Sequence, residues 1–456
     1  MQPSAMHLTR WASLVFVVCT AWGESCDFEE GSLIQRQPRN ESEIQEVEEH
    51  FKQLQRGLHK HLLGTTVIGA TAAPKGGTCA LSGQQRCAVS AMKGTTIIQP
   101  GGRTSCLQQD GGPYQFVVRP GDAQKLLISF QGGGACWEST SFKHACVADI
   151  QEALSGSGLL SNSGPLSDAQ RNPLRDYTVV EVLYCSGDIF LGDVTQSWAS
   201  GRGPAQQLRQ AGAVNLRAVL QWVQKNFKSV TSLVMMGSSA GALAAQVYSP
   251  TILELIPHQN AAVISDSYAG VFPSNTEGAV LQRWKACSLN IFSPEQQRAC
   301  QESRIGLPDV VAKIIQEHPT VAYGFIQSKA DSFQRLFYEL VAFTIQRSFS
   351  KLSGPLFYKL SNRIFKEYNK HKNFLLFLVD GDNHEFNSQR IWNKAGIKGA
   401  VDGSPRGVLS LQGWVRKVLA RSCTRSLGRG RLTKRLDSTK LNYRYNRVFP
   451  KELCWA

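Results

Sequence analysis

Leu233-Val234-Met235-Met236-Gly237-Ser238-Ser239-Ala240-Gly241-Ala242-Leu243-Ala244-Ala245-Gln246-Val247-Tyr248 decides the reading of this chain. Four apolar residues make a short buried strand, and the run from Ala242 to Tyr248 has helical composition. Between them stands G-x-S-x-G. The two glycines suit a turn in which the backbones of strand and helix nearly touch, because neither carries a Cβ. Such a turn lifts the hydroxyl of Ser239 above the carboxyl end of the strand, at the positive end of the following helix.

Working outward, further β-rich runs appear at 115–118, 126–130, 178–183, 262–266, 321–327 and 374–379. Several are apolar almost throughout, as strands covered on both faces must be. Helical stretches separate many of them. The clearest spans 204–226, where Leu208, Ala211, Val214, Leu216, Val219, Leu220 and Val223 form one face. Strands alternating with helices predict an α/β domain: a mostly parallel sheet with helices on both faces. With the serine turn, the expectation is an α/β-hydrolase-like fold with disulfide-stapled loops.

Composition agrees. Of 456 residues, 42% are hydrophobic and 19% charged, which excludes a mostly disordered chain. The 40 Gly and 18 Pro show no triplet period, so collagen is excluded. No apolar run reaches about 18 residues, which excludes a multi-spanning membrane protein.

Two more segments bear on the serine. The run 126–130 leads into Gln131-Gly132-Gly133-Gly134-Ala135-Cys136. A glycine-rich loop after an early strand supplies oxyanion-hole N–H groups in this fold. It lacks the G-K-[ST] of a phosphate loop. The base and its acid follow the serine in chain order. His258, His318, His371 and His384 are the histidines downstream. His384 stands out because it follows the run 374–379 in Val379-Asp380-Gly381-Asp382-Asn383-His384, at the sheet edge where such folds keep their reactive groups. Asp331, after the run 321–327, is favoured as the acid. Asp380, Asp382 and Asp266 compete with it.

The ends of the chain differ. His7 and Arg10 precede an apolar stretch from Trp11 to Trp22, and Ala21-Trp22-Gly23 supplies small residues at a cleavage site. Residues 1–23 thus read as an export signal, with a signal-anchor as the alternative. Cleavage there leaves eleven cysteines without CxxC zinc spacing, so disulfides are expected. Cys287 and Cys300 bracket an expected turn at Ser293-Pro294 and are a candidate pair. Asn40-Glu41-Ser42 is a glycosylation sequon. Residues 24–89 read as a leader: an amphipathic helix over 42–63, marked by Ile44, Val47, Phe51, Leu54, Leu58 and Leu62, and then Cys-containing loops. The catalytic domain is expected over 90–420. A basic tail follows from 421 to 456, with nine bases against Asp437 between Arg421 and Arg447. Its candidate partners are an acidic polysaccharide or a membrane surface. It lacks aromatic interleaving, so nucleic acid is the weakest candidate.

Phe130-Gln131-Gly132-Gly133-Gly134-Ala135-Cys136-Trp137, Tyr184-Cys185-Ser186-Gly187-Asp188, Gly237-Ser238-Ser239-Ala240-Gly241 and Asp266-Ser267 occur in the order and spacing of the pectinacetylesterase/Notum family. The chain resembles that family over roughly 90–420. The resemblance implies an α/β-hydrolase-like carboxylesterase with no cofactor or metal. It makes Ser239 the nucleophile, His384 the base, Asp331 the orienting acid, and the N–H groups of Gly134, Ala135 and Ala240 the oxyanion hole. It also implies a Cys136–Cys146 bridge. Gln131 and Ala135 stand where plant members and Notum carry Glu and Trp, which makes the chain look more like bacterial and protist members. An acylated carbohydrate or another ester is the expected substrate, and amides or thioesters are alternatives. An inactive binding protein on the same fold is the competing reading.

Overall fold

The computed structural model describes residues 45, 47, 49–52, 76–82, 86–108, 112–146, 149–199, 205–349, 351–387, 389–398 and 408–420. The export pattern 1–23, the Asn40 sequon, most of the leader and the tail from 421 lie outside them.

The sheet has nine strands. In chain order they are β1 (Thr78–Ala80), β2 (Thr96–Gln99), β3 (Phe116–Arg119), β4 (Asp122–Phe130), β5 (Tyr177–Val182), β8 (Val230–Ser238), β9 (His258–Asp266), β10 (Ala322–Ser328) and β11 (Phe374–Val379). The remaining four form two hairpins: β6 (Val194–Ala199) with β7 (Ala205–Gln210), and β12 (Gly396–Lys398) with β13 (Val408–Ser410). Across the sheet the order is β1-β2-β3-β5-β4-β8-β9-β10-β11. From β5 to β11 every neighbouring pair is parallel, and only β3 runs against its neighbours. The fold is therefore α/β with a mostly parallel sheet, as the alternating pattern predicts. β5 and β10 are buried along their whole length, which explains their continuous apolar sequence.

The chain steps from β4 to β5 on one side and later returns to place β8 on the other. The loops after β4 and β8 thus open side by side at a topological switch point, where folds of this class leave a crevice. That geometry brings the glycine-rich loop to the serine turn.

The helix expected over 204–226 is corrected. It spans Gly212–Asn226, and residues 205–210 form β7, paired with β6. The pairing satisfies the backbone: Arg209 N donates to Leu107 O at 2.8 Å, and Leu208 is buried against Cys136 and Trp198. Tertiary hydrogen bonding overrides a helical spacing that continues upstream by accident. The turn expected around Ser293-Pro294 falls at residues 290–291, just upstream. Ser293 caps a helix, Pro294–Gln301, through a capping box with Gln296.

Among the described residues four disulfides join Cys79–Cys87, Cys106–Cys185, Cys136–Cys146 and Cys287–Cys300. The described part of the leader is helical at residues 45, 47 and 49–52. Val47 and Phe51 are buried in the main core, and His50 Nε2 lies 2.6 Å from Glu339 Oε2. Phe51 packs beside Phe343 and Phe349. Among the described residues no helix is long and apolar enough to cross a membrane.

Candidate active site

Ser239 sits between β8 and the helix Ala240–Val247 with φ 51° and ψ −119°. A non-glycine residue rarely holds that conformation, and the surroundings must over-determine it. They do. Ser239 N donates to Asp266 O at 2.8 Å. A Cβ on Gly237 would fall 2.0 Å from Gly241 O, and one on Gly241 would fall 2.2 Å from Phe130 O. Both glycines are thus demanded by close backbone approach, within the turn and between the turn and β4.

His384 lies on the loop after β11 and is buried. Its Nε2 stands 2.8 Å from Ser239 Oγ. Its Nδ1 stands 2.9 and 3.0 Å from the two carboxylate oxygens of Asp331. Phe333 stacks on the imidazole with ring centroids 5.0 Å apart. Burial of the ring disfavours the imidazolium. The charge and hydrogen bond of Asp331 outweigh it, helped by Glu385 and Asp266, and push the His384 pKa up to about 8.

Asp331 is fully buried after β10 and caps the helix Ser332–Gln346 by accepting from Gln334 N at 2.9 Å. Its other oxygen accepts from Gln334 Nε2 at 2.8 Å and Gln327 Nε2 at 3.2 Å. The rival aspartates are engaged elsewhere. Asp380 pairs with buried Lys329 at 2.7 Å, and the carbonyl of Asp382 accepts from Ser332 N and Oγ. Asp266 carries no bond to the imidazole. Its Oδ2 accepts from Phe386 N at 2.7 Å and its Oδ1 from Ser267 Oγ at 2.9 Å.

The glycine-rich loop is pinned at both ends. Gln131 N donates to Val182 O at 3.1 Å, and Cys136 N to Gly187 O at 2.8 Å. The Gln131 side chain bridges two more backbones, accepting from Tyr184 N and donating to Ala153 O. A Cβ on Gly134 would fall 1.8 Å from Ala145 O, so this position excludes a side chain. Ala135 and Ala240 are buried, and Ala240 opens the helix behind Ser239. The Tyr184–Asp188 motif is scaffolding for this loop. Cys185 is in a disulfide, and the Asp188 carboxylate accepts from Gly212 N at the start of a helix. A Cβ on Gly187 would fall 2.5 and 2.7 Å from the sulfurs of Cys146 and Cys136.

A serine hydroxyl, an imidazole on it and a carboxylate on the imidazole, with a glycine-rich loop adjacent, is an arrangement capable of acyl transfer. Sequence reasoning missed Gln327, Gln334, Phe333 and Glu385. Asp331 followed by Gln334 is a helix-capping pattern that signals the first contact. No local pattern announces the others.

Residues 87–304 match the pectinacetylesterase family model. The stretch holds all four motifs on which the resemblance rests, and Asp331 and His384 lie beyond it. Pectin acetylesterase 7 of Arabidopsis thaliana is 30% identical over 176 residues, which are 37% of this chain and 42% of that protein. The chain thus spans less than half of that relative's length. Two crystal forms of the Wnt deacylase Notum from Drosophila are similar at 17% identity, with TM-scores of 0.43 and 0.45, covering 69% of this chain and 90% of theirs.

Proposed function

We propose, from a pectinacetylesterase-family segment that ends short of its own base and acid, that the chain is an exported serine hydrolase of carboxylic esters. One observation carries the reading: Ser239 Oγ, His384 and Asp331 form a continuous hydrogen-bonded line from three separate strand ends. In this reading Ser239 Oγ attacks the ester carbonyl while His384 Nε2 takes its proton. Asp331 holds the imidazole tautomer and stabilises the imidazolium. The N–H groups of Gly134, Ala135 and Ala240 receive the oxyanion. His384 returns the proton to the departing alcohol. Water, deprotonated by the same imidazole, then releases the acid from Ser239.

The preferred substrate class is an O-acyl group, acetyl or longer, on a polysaccharide or glycoconjugate. The family's name and the named activity of its Arabidopsis member support an acyl ester. Export is supported by the N-terminal pattern and by four disulfides among the described residues, which persist in oxidising compartments. The basic tail is proposed to hold the enzyme on an acidic polysaccharide or membrane surface.

A fluorophosphonate probe and a panel of esters of increasing acyl length test the reading together. Wild type should be labelled and should turn over at least one ester, and Ser239→Ala should do neither. Equal labelling of both proteins overturns the assignment. The chain length preferred then divides a polysaccharide deacetylase from a lipid-ester hydrolase.

A further inference from the structure

We propose that Asp266 and Ser267 are positioning residues, a two-residue clamp that sets the distance between Ser239 and His384 by holding the backbone of both their loops. The inference rests on the reading of Ser239 and His384 given above. Asp266 uses two different groups on two different loops. Its carbonyl accepts from Ser239 N at 2.8 Å, and its carboxylate accepts from Phe386 N at 2.7 Å, two residues beyond the histidine. Ser267 continues the clamp. Its hydroxyl donates to Asp266 at 2.9 Å and accepts from Glu385 N at 2.8 Å. Its N–H donates to Ile326 O at 2.8 Å, on β10, the strand that leads to Asp331. The serine turn, the histidine loop and the strand that leads to Asp331 therefore all bond to one dipeptide.

The backbone shows why a clamp is needed. Ser239, Ser267 and Glu385 have φ of 51°, 64° and 62°. Each is a non-glycine residue in the left-handed region, a conformation that persists only where neighbours enforce it. Asp266 and Ser267 are buried, so water does not compete for these bonds. A carboxylate suits the task because one oxygen takes a hydroxyl while the other takes an N–H. Burial, then the charge of Glu385, push the Asp266 pKa up to about 7. A group protonated in part near neutrality is a poor permanent counter-charge for an imidazolium and a serviceable acceptor for N–H.

The experiment compares Asp266→Asn, Asp266→Ala and Ser267→Ala with wild type on one soluble ester, measuring kcat, KM, the rate of fluorophosphonate labelling and a melting curve. Asn keeps an oxygen for Phe386 N, so Asp266→Asn should stay within about tenfold of wild type. Ala removes it, and the loop shift should lower kcat and the labelling rate about 10²-fold, the scale expected for a misplacement of about 1 Å, with KM little changed. Ser267→Ala loses both bonds of the hydroxyl, to Asp266 and from Glu385 N, and should lower kcat about tenfold. Equal losses in the Asn and Ala variants would show that the charge acts, and would overturn the clamp. So would a folded Asp266→Ala with wild-type kcat. Where Asp266→Ala does not fold, Ser267→Ala decides, and unchanged kcat counts against the proposal. Ser239→Ala runs alongside. If it keeps activity, the functional reading itself has failed, and if it is dead while Asp266→Ala is unimpaired, only the clamp has.

Discussion

Strands β9 and β10 lie side by side in the sheet, and each is followed closely by a buried aspartate near the His384 loop. The two ends are built differently. Asp331 comes after the two-residue loop Lys329-Ala330, begins a long helix, and meets the imidazole along with N–H groups of Gln334 and Gln327. Asp266 ends its strand outright and meets backbone: an N–H of the histidine loop at its carboxylate, an N–H of the serine turn at its carbonyl. Two residues of loop distinguish a carboxylate that faces the ring from one that faces the chain carrying the ring. Residue type alone does not assign a role at such an edge. The length of the step off the strand does.

The largest effect that tests this contrast is at Asp331. Asp331→Asn should keep the fold, because the amide can still cap Gln334 N, yet it favours the wrong imidazole tautomer. Turnover should fall by about 10⁴, as that change does in another triad enzyme. Measured beside Asp266→Asn, the two neighbouring strand ends should differ by about three orders of magnitude in kcat, 10⁴ for loss of tautomer control against about tenfold for one weakened hydrogen bond. A folded Asp331→Asn variant within tenfold of wild type would erase the distinction.

Gly134→Ala comes next. The new Cβ would fall 1.8 Å from the carbonyl of Ala145, so the glycine-rich loop must shift. A displaced oxyanion donor typically lowers kcat by about 10² to 10³. Turnover and KM on one ester check it, and a larger change in KM than in kcat would place the loop in binding and not in transition-state stabilisation. In the proposed mechanism this backbone group contacts the substrate directly, so its loss should exceed that of Ser267→Ala, where a backbone is merely held.

A smaller effect comes from the charges around the ring. In the proposed mechanism His384 serves as the base only when neutral, and its pKa is pushed up to about 8. The kcat/KM profile should therefore rise with pH through about 8 and fall away below it. Glu385 helps to raise that pKa. Glu385→Gln should move the acid limb to lower pH while preserving the plateau. An unmoved limb would assign the whole rise to Asp331 and sharpen the contrast between the strand ends.

Much of this architecture was legible before any coordinates. Seven β-rich runs became strands because strands buried on both faces are apolar without interruption, and such runs are hard to read otherwise. Ser239 announced itself through glycines whose Cβ atoms have nowhere to go. Other parts were hidden for physical reasons. β7 reads as helix because its buried Leu208 happens to stand at helical steps from Ala211, and the bonds that make it a strand come from distant residues. Gln327 is polar and carries no periodic signal, and its burial beside Asp331 is decided wholly by tertiary structure. The contacts of Asp266 were hidden for the same reason. A carboxylate that binds main-chain N–H groups leaves no trace in the sequence that receives it.

The least effect is expected where a buried carboxylate serves neither end. Glu277 begins the helix Glu277–Arg283, and its Oε1 has no hydrogen-bond partner among the described residues. Asp331 and Asp266 have both oxygens occupied. Burial pushes the Glu277 pKa up to about 8 against the pull of the Leu307 N–H, and the charge of Asp309 adds to the rise. The sign of the linkage follows. Between its ordinary value of 4.5 and about 8 the folded chain holds a proton that the unfolded chain has released, so the contribution to stability declines as pH rises through that window. Glu277→Gln removes the ionisable group and keeps an oxygen for Leu307 N. Its Tm should match wild type near pH 4 and exceed it at pH 9 by about 2 °C or more, the shift that about 1 kcal/mol gives in a large domain. Its kcat should be unchanged, because none of its partners belongs to the three loops of the site. A variant that melts with wild type at both pH values would mean that the unpartnered oxygen is already solvated. One that lost turnover would extend the machinery of the strand ends to this helix, and the contrast between carboxylates that work and one that is merely buried would have to be redrawn.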